Sequence, residues 1–132
     1  MANDPSVKDT TANTMLDAIT TAISTSGKLR IYTASKPTNA DTALGAQTVV
    51  AELPLSATFA PGASGGVLTA SSITNDTNAV GGTAAWFSLV TSGGTRIVDG
   101  TCGTSGADLN LNSLTIGAGA TVSVTSLTIT IN

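Results

Sequence analysis

The chain has 132 residues, 41% of them hydrophobic and only 10% charged, with a net charge of −3 and no histidine. That length predicts one domain, 1–132, able to build its core without disulfides or a structural metal. The scattered cations Lys8, Lys28, Arg30, Lys36 and Arg96 form no basic stripe and no apolar run is long enough to span a bilayer, so neither nucleic acid nor a membrane is expected as a partner.

Residues 1–26 read as an N-terminal arm and one amphipathic helix, without the charged and apolar regions of a signal peptide. After a loose start over 1–5, the helical pattern runs from Ser6 to about Ser26. Met15, Leu16, Ile19, Ala22 and Ile23 fall on one stripe. Ser6 or Asp9 is placed to cap its start, and Gly27 stands where a terminating glycine belongs. Threonines between 10 and 21 weaken the intrinsic helix propensity, so the helix depends on docking. It packs either on its own sheet or on a neighbouring subunit. Met15, Leu16, Ile19 and Ile23 are therefore candidate partner contacts.

Residues 27–132 read as β-structure. Lys28–Thr33 alternates, with Leu29, Ile31 and Thr33 on one face and Lys28, Arg30 and Tyr32 on the other. Ala34–Gln47 is a loop rich in turn formers. Thr48–Leu53 is a second strand, ended or held at an edge by Pro54. Leu55–Phe59 follows as a short strand or bulge, then a glycine-rich loop over 60–66 and a strand over 67–73. In Ala85–Val90, Phe87 and Leu89 oppose Trp86, Ser88 and Val90, so apolar groups lie on both faces. That marks a central strand, covered by the core on one side and by the helix or a neighbouring subunit on the other. Trp86 joins the candidate contacts on this ground. Ser92-Gly93-Gly94 turns the chain into Thr95–Asp99 as an antiparallel hairpin.

The last strand, Ala120–Ile131, carries a phase defect. Val122 and Val124 share one phase, and Leu127, Ile129 and Ile131 the other. A bulge or bend near Thr125-Ser126 would reconcile them. Six to eight antiparallel strands and one N-terminal helix predict a mainly β fold, a jelly-roll-like β-sandwich.

The chemistry-bearing residues predict no enzyme. Serine, threonine and cysteine nucleophiles need an adjacent base, and the commonest one is absent. The lone Cys102 reads as a small half-buried filler. The carboxylates Asp4, Asp9, Asp17, Asp41, Glu52, Asp76, Asp99 and Asp108 sit mostly in turns, where they bind backbone N–H groups. Asn75-Asp76-Thr77-Asn78 and Asp108-Leu109-Asn110 are oxygen-rich enough to raise calcium, but neither has the spacing of an EF-hand loop. No cofactor is expected.

Five segments, taken together in order, carry a resemblance. They are Gly27–Thr33 (GKLRIYT), Gly66–Ala70 (GVLTA), Thr83–Phe87 (TAAWF), Val98–Gly100 (VDG) and Gly103–Leu111 (GTSGADLNL). From about Lys28 to the C-terminus the chain resembles a family of small virion structural proteins of tailed bacteriophages and prophages. The resemblance implies a capsid decoration or cement protein, made in the host cytoplasm and located on the capsid surface. It implies the major capsid protein as partner, and a homo-oligomer. It carries over no catalytic, cofactor or metal residues. The alternatives are a neck, tail or fibre protein of the virion and, in another class, a carbohydrate-binding β-sandwich module.

Overall fold

A computed structural model describes residues 6–131. The expected loose start at 1–5, with Asp4, lies outside them.

Helix α1 spans Asp9–Ile23 and buries Ala12, Leu16 and Ile23. Its start is not capped as expected: the N-cap is Lys8, which makes no side-chain capping bond, and Asp9 lies in the first turn. There the carboxylate meets the positive end of the helix dipole. The helix ends at Ser24, whose backbone has φ 62° and whose N–H donates to the Thr20 carbonyl. Gly27 is therefore not the terminator. It is a close-packing position: a Cβ there would run into the Ile23 side chain and stand 2.9 Å from the Val90 carbonyl oxygen.

Nine strands follow among the described residues: β1 Lys28–Tyr32, β2 Val49–Pro54, β3 Val67–Thr69, β4 Gly82–Thr83, β5 Trp86–Val90, β6 Arg96–Gly103, β7 Leu109–Asn110, β8 Thr115–Ile116 and β9 Thr128–Thr130. One five-stranded sheet has the order β2-β1-β5-β6-β7, and two ribbons pair β3 with β9 and β4 with β8. The fold is thus mainly β with one helix. It departs from the expected six to eight antiparallel strands in two ways. Three of the strands are two-residue pieces, and β6 pairs with β7 in parallel, Cys102 beside Leu109.

Strand β5 is the middle of the sheet and is buried along its whole length, as apolar residues on both faces require. The β5–β6 hairpin turns through Thr91–Thr95, whose ends exchange a backbone bond of 2.9 Å. Strand β2 holds an edge, with Pro54 opposite Lys28 at its end. The inner face of the sheet presents Leu29, Ile31, Ala51, Leu53, Phe87 and Leu89 to Leu16 and Ile23 of α1 and to Leu68, Val122, Val124 and Leu127. Gly100 lies opposite Phe87. A Cβ there would stand 2.6 Å from Phe87 Cζ, so glycine leaves the ring its seat in the core.

Two expected strands shrink. Leu55–Phe59 forms no strand, and the strand from Val67 stops at Thr69. The phase defect near Thr125-Ser126 is present in burial: Val122 and Val124 are buried on one side of it and Leu127 on the other. It does not lie in one long strand. Only Thr128–Thr130 pairs as β9, while Val122 makes an isolated bridge to Asp76.

Candidate functional site

The outer face of the sheet gathers the polar chemistry. By register, Tyr32, Trp86 and Thr101 form one row, Arg30, Ser88 and Asp99 a second, and Lys28, Val90 and Arg96 a third. Arg96 and Asp99 are three residues apart and would face opposite ways in a regular strand. The register shift opposite Leu89/Val90 supplies the extra residue that turns both outward.

At the centre Trp86 is fully buried. Tyr32 stacks on it with ring centroids 4.4 Å apart and planes 13° apart. Its indole N–H donates to the Thr33 carbonyl at 3.2 Å. Arg96 Cζ stands 5.6 Å from the indole centroid, within cation–π reach. The Arg96 guanidinium pairs with Asp99 at 3.2 Å, and both side chains are nearly buried (8% and 3% exposed). Arg96 Nη2 also donates to the carbonyls of Asn39 (2.9 Å) and Thr42 (2.7 Å). Arg96 therefore ties the Ala34–Gln47 loop down across the outer face. The expectation that α1 covers this face is corrected: α1 lies on the inner side, and the loop lies across the outer one.

Beside this cluster Arg30 Nε donates to Glu52 Oε2 at 2.6 Å, and Lys28 Nζ pairs with Glu52 Oε1 at 3.2 Å. Burial would raise the Glu52 carboxyl, but the hydrogen bonds and charges of Arg30 and Lys28 outweigh it and hold the group below its ordinary value. Burial works against the Arg30 cation too, yet Glu52 and the Tyr32 hydroxyl raise it further still. A shallow cleft of about 380 Å³ lies between Arg30, Tyr32 and Arg96 on one side and Ala40–Leu44 on the other. Ser88 Oγ, Arg96 Nε and both Asp99 carboxylate oxygens are buried without a hydrogen-bond partner. The Arg96–Asp99 ion pair fixes this face structurally, and Arg96 Nη2 alone extends it to the loop.

The sequence-predicted sites distribute differently. Leu16, Ile23 and Trp86 are buried within the subunit, and Ile19 is half-buried. Of the five candidate contacts only Met15 is exposed, at 49%. Asp76 accepts the Asn78 N–H and, with its other oxygen, the Glu52 N–H. Asp108 Oδ2 accepts the Thr101 N–H and hydroxyl, and Asn110 Oδ1 accepts the Ala107 N–H. Asp76, Asp108 and Asn110 thus spend these oxygens on donors of the protein itself. Among the described residues, no three His, Cys, Asp or Glu side chains cluster as a metal site would require. Cys102 is half-buried, and burial together with the Asp108 charge pushes its thiol up to about 12. It stays protonated and poorly nucleophilic at neutral pH. No helix among the described residues is long and apolar enough to cross a membrane.

Comparison with known proteins finds no matching family model, no matching curated protein and no matching solved structure.

Proposed function

We propose that this chain is a non-enzymatic structural protein of a phage virion that binds and stabilises the capsid lattice as a decoration or cement protein. The resemblance carried by Gly27–Thr33, Thr83–Phe87 and Gly103–Leu111 motivates the assignment. The observation that carries it from the structure is the outer face of α1. Its exposed positions after Asp9 are Thr10, Thr11, Thr14, Met15, Ala18, Thr21 and Ala22, none of them charged. Asp17, the one acid within the helix body, donates nothing to this face, because its carboxylate accepts the Ala63 N–H at 2.7 Å. A solvent-facing helix ordinarily carries its charges there. Depletion of charge around an exposed methionine is the composition of a protein–protein contact.

The sandwich frame belongs to the same proposal: the five-stranded sheet as one layer, α1 and the two ribbons as the other. The partners are then the major capsid protein and further copies of this chain. In a lattice, many weak contacts add by multivalency. The carbohydrate-binding alternative has little to stand on, since Tyr32, Phe59, Trp86 and Phe87 are all buried and offer no platform to a sugar ring.

Purified particles should contain this chain in fixed stoichiometry to the major capsid protein. Met15→Lys should weaken its attachment by about tenfold or more, equivalent to ~1.4 kcal/mol, while circular dichroism of the free protein stays unchanged. A handful of copies per particle would overturn the capsid assignment in favour of a neck, tail or fibre position.

A further inference from the structure

The segment 121–127 runs without a turn or bend, and its burial alternates, with Val122 and Val124 inward and Thr121, Ser123 and Thr125 outward. In an extended chain the backbone N–H and C=O of one residue point to the same side, and those of the next to the other. Val122 spends both of its groups on Asp76, at 2.8 and 3.0 Å. Thr121, Ser123 and Thr125 therefore present theirs to the opposite side. Among the described residues, none of these three has a hydrogen-bond partner there. At Thr121 and Ser123 the chain lines a groove of about 300 Å³ whose far wall is the chain from Leu111 to Gly117.

The outer edge of β2, by contrast, is protected. It is met by the Gly81 N–H on the Val50 carbonyl, the Asp76 carboxylate on the Glu52 N–H, and the Thr74 N–H on the Pro54 carbonyl. The edge at Thr121–Thr125 has none of the devices that keep edges apart: no proline, no glycine and no charge. From Leu109 to Asn132 the sequence has no charged side chain at all, so two such edges meet without repulsion.

We propose that this edge pairs with the same edge of a second copy, antiparallel about a two-fold axis through Ser123. Ser123 then pairs with its symmetry mate, and Thr121 with Thr125 of the other copy. The three N–H and three C=O groups of each copy are all satisfied, and each segment fills the groove of the other. A two-fold contact of this kind is self-complementary by construction. It names the surface behind the homo-oligomer of the proposed function, and it holds for the isolated protein whatever particle the protein belongs to.

The full-length protein should sediment as a dimer at micromolar concentration. Ser123→Pro removes an N–H that has no partner among the described residues, in a stretch whose extended backbone accepts proline. It should weaken the dimer at least tenfold with an unchanged circular dichroism spectrum. Ser123→Cys places two thiols across the axis in a hydrogen-bonded pair, where Cα atoms stand ~5.5 Å apart, within disulfide reach. Oxidised glutathione should link it as a dimer, taking up the two electrons and two protons released. Thr10→Cys, on α1, should remain unlinked, and the protonated Cys102 should give little background. A monomeric wild type, or a Ser123→Cys variant that does not cross-link, would overturn the pairing, as would a monomer that takes up a strand from the capsid protein instead. Capsid stoichiometry would be untouched by that result, so the two proposals fail separately.

Discussion

Trp86→Ala should destabilise the protein by about 3–5 kcal/mol, the usual cost of emptying a large buried aromatic site. The indole is fully buried, stacked on Tyr32 and hydrogen-bonded to the Thr33 carbonyl. Removing it leaves Tyr32 with a bare face and Arg96 without the ring beneath it. A domain of this size has roughly 5–15 kcal/mol in all, so the variant should sit close to unfolding. Urea titration followed by circular dichroism measures it, since the fluorophore itself is lost. Trp86→Phe should cost distinctly less, because a ring still occupies the site. A cost below about 1 kcal/mol for Trp86→Ala would mean that the aromatic stack is not what holds the outer face.

Arg96→Met should cost a similar ~3–5 kcal/mol, for a different reason: it strands the buried Asp99 carboxylate without its cation. The double variant Arg96→Met/Asp99→Leu should recover most of that loss. Replacing a buried ion pair with apolar residues is often neutral, whereas breaking it is not. The recovery should be confined to global stability. The Asn39 and Thr42 carbonyls lose Arg96 in both variants. The Ala34–Gln47 loop should therefore be cut faster by protease in both, even in the double variant whose global stability is recovered. If the double variant is as unstable as the single one, the cost lies in the loop contacts and not in the stranded charge.

These two residues show what the sequence made legible. Trp86 was readable as the heart of a central strand, because apolar residues on both faces of Ala85–Val90 leave no side for water. The hairpin after it was readable from Ser92-Gly93-Gly94, and the edge position of β2 from Pro54. The phase break between Val124 and Leu127 was readable too, although not the loss of the long strand around it. Arg96 and Asp99 were not readable as a pair. Their spacing of three puts them on opposite faces unless a bulge intervenes, and nothing in RIVD announces one. The loop over the outer face was equally hidden, since Arg96 reaches carbonyls more than fifty residues away and carbonyls carry no residue identity. That Leu16 and Ile23 of α1 are buried within the subunit was hidden for a simpler reason. One apolar stripe cannot reveal whether it meets its own sheet or another subunit. The parallel β6–β7 pairing rests on a clasp between Thr101 and Asp108 that only the folded chain displays.

The strand order also sets a timetable for folding. Strand β1 finds Leu53 on one side and Leu89 on the other, the second some sixty residues along the chain. Strand β3 finds its partner only in β9, at Thr128–Thr130. Among the longer pairings, β5 with β6 is the one closed by a tight turn. That hairpin is thus the natural nucleus, and the remaining closures are entropically distant. Refolding followed by stopped-flow fluorescence of Trp86 should be slow, in the millisecond-to-second class of domains dominated by non-local pairing. That delay is an interval in which the stretch that follows Leu109, without a single charged side chain, is exposed, so refolding at higher protein concentration should lose more chain to aggregation.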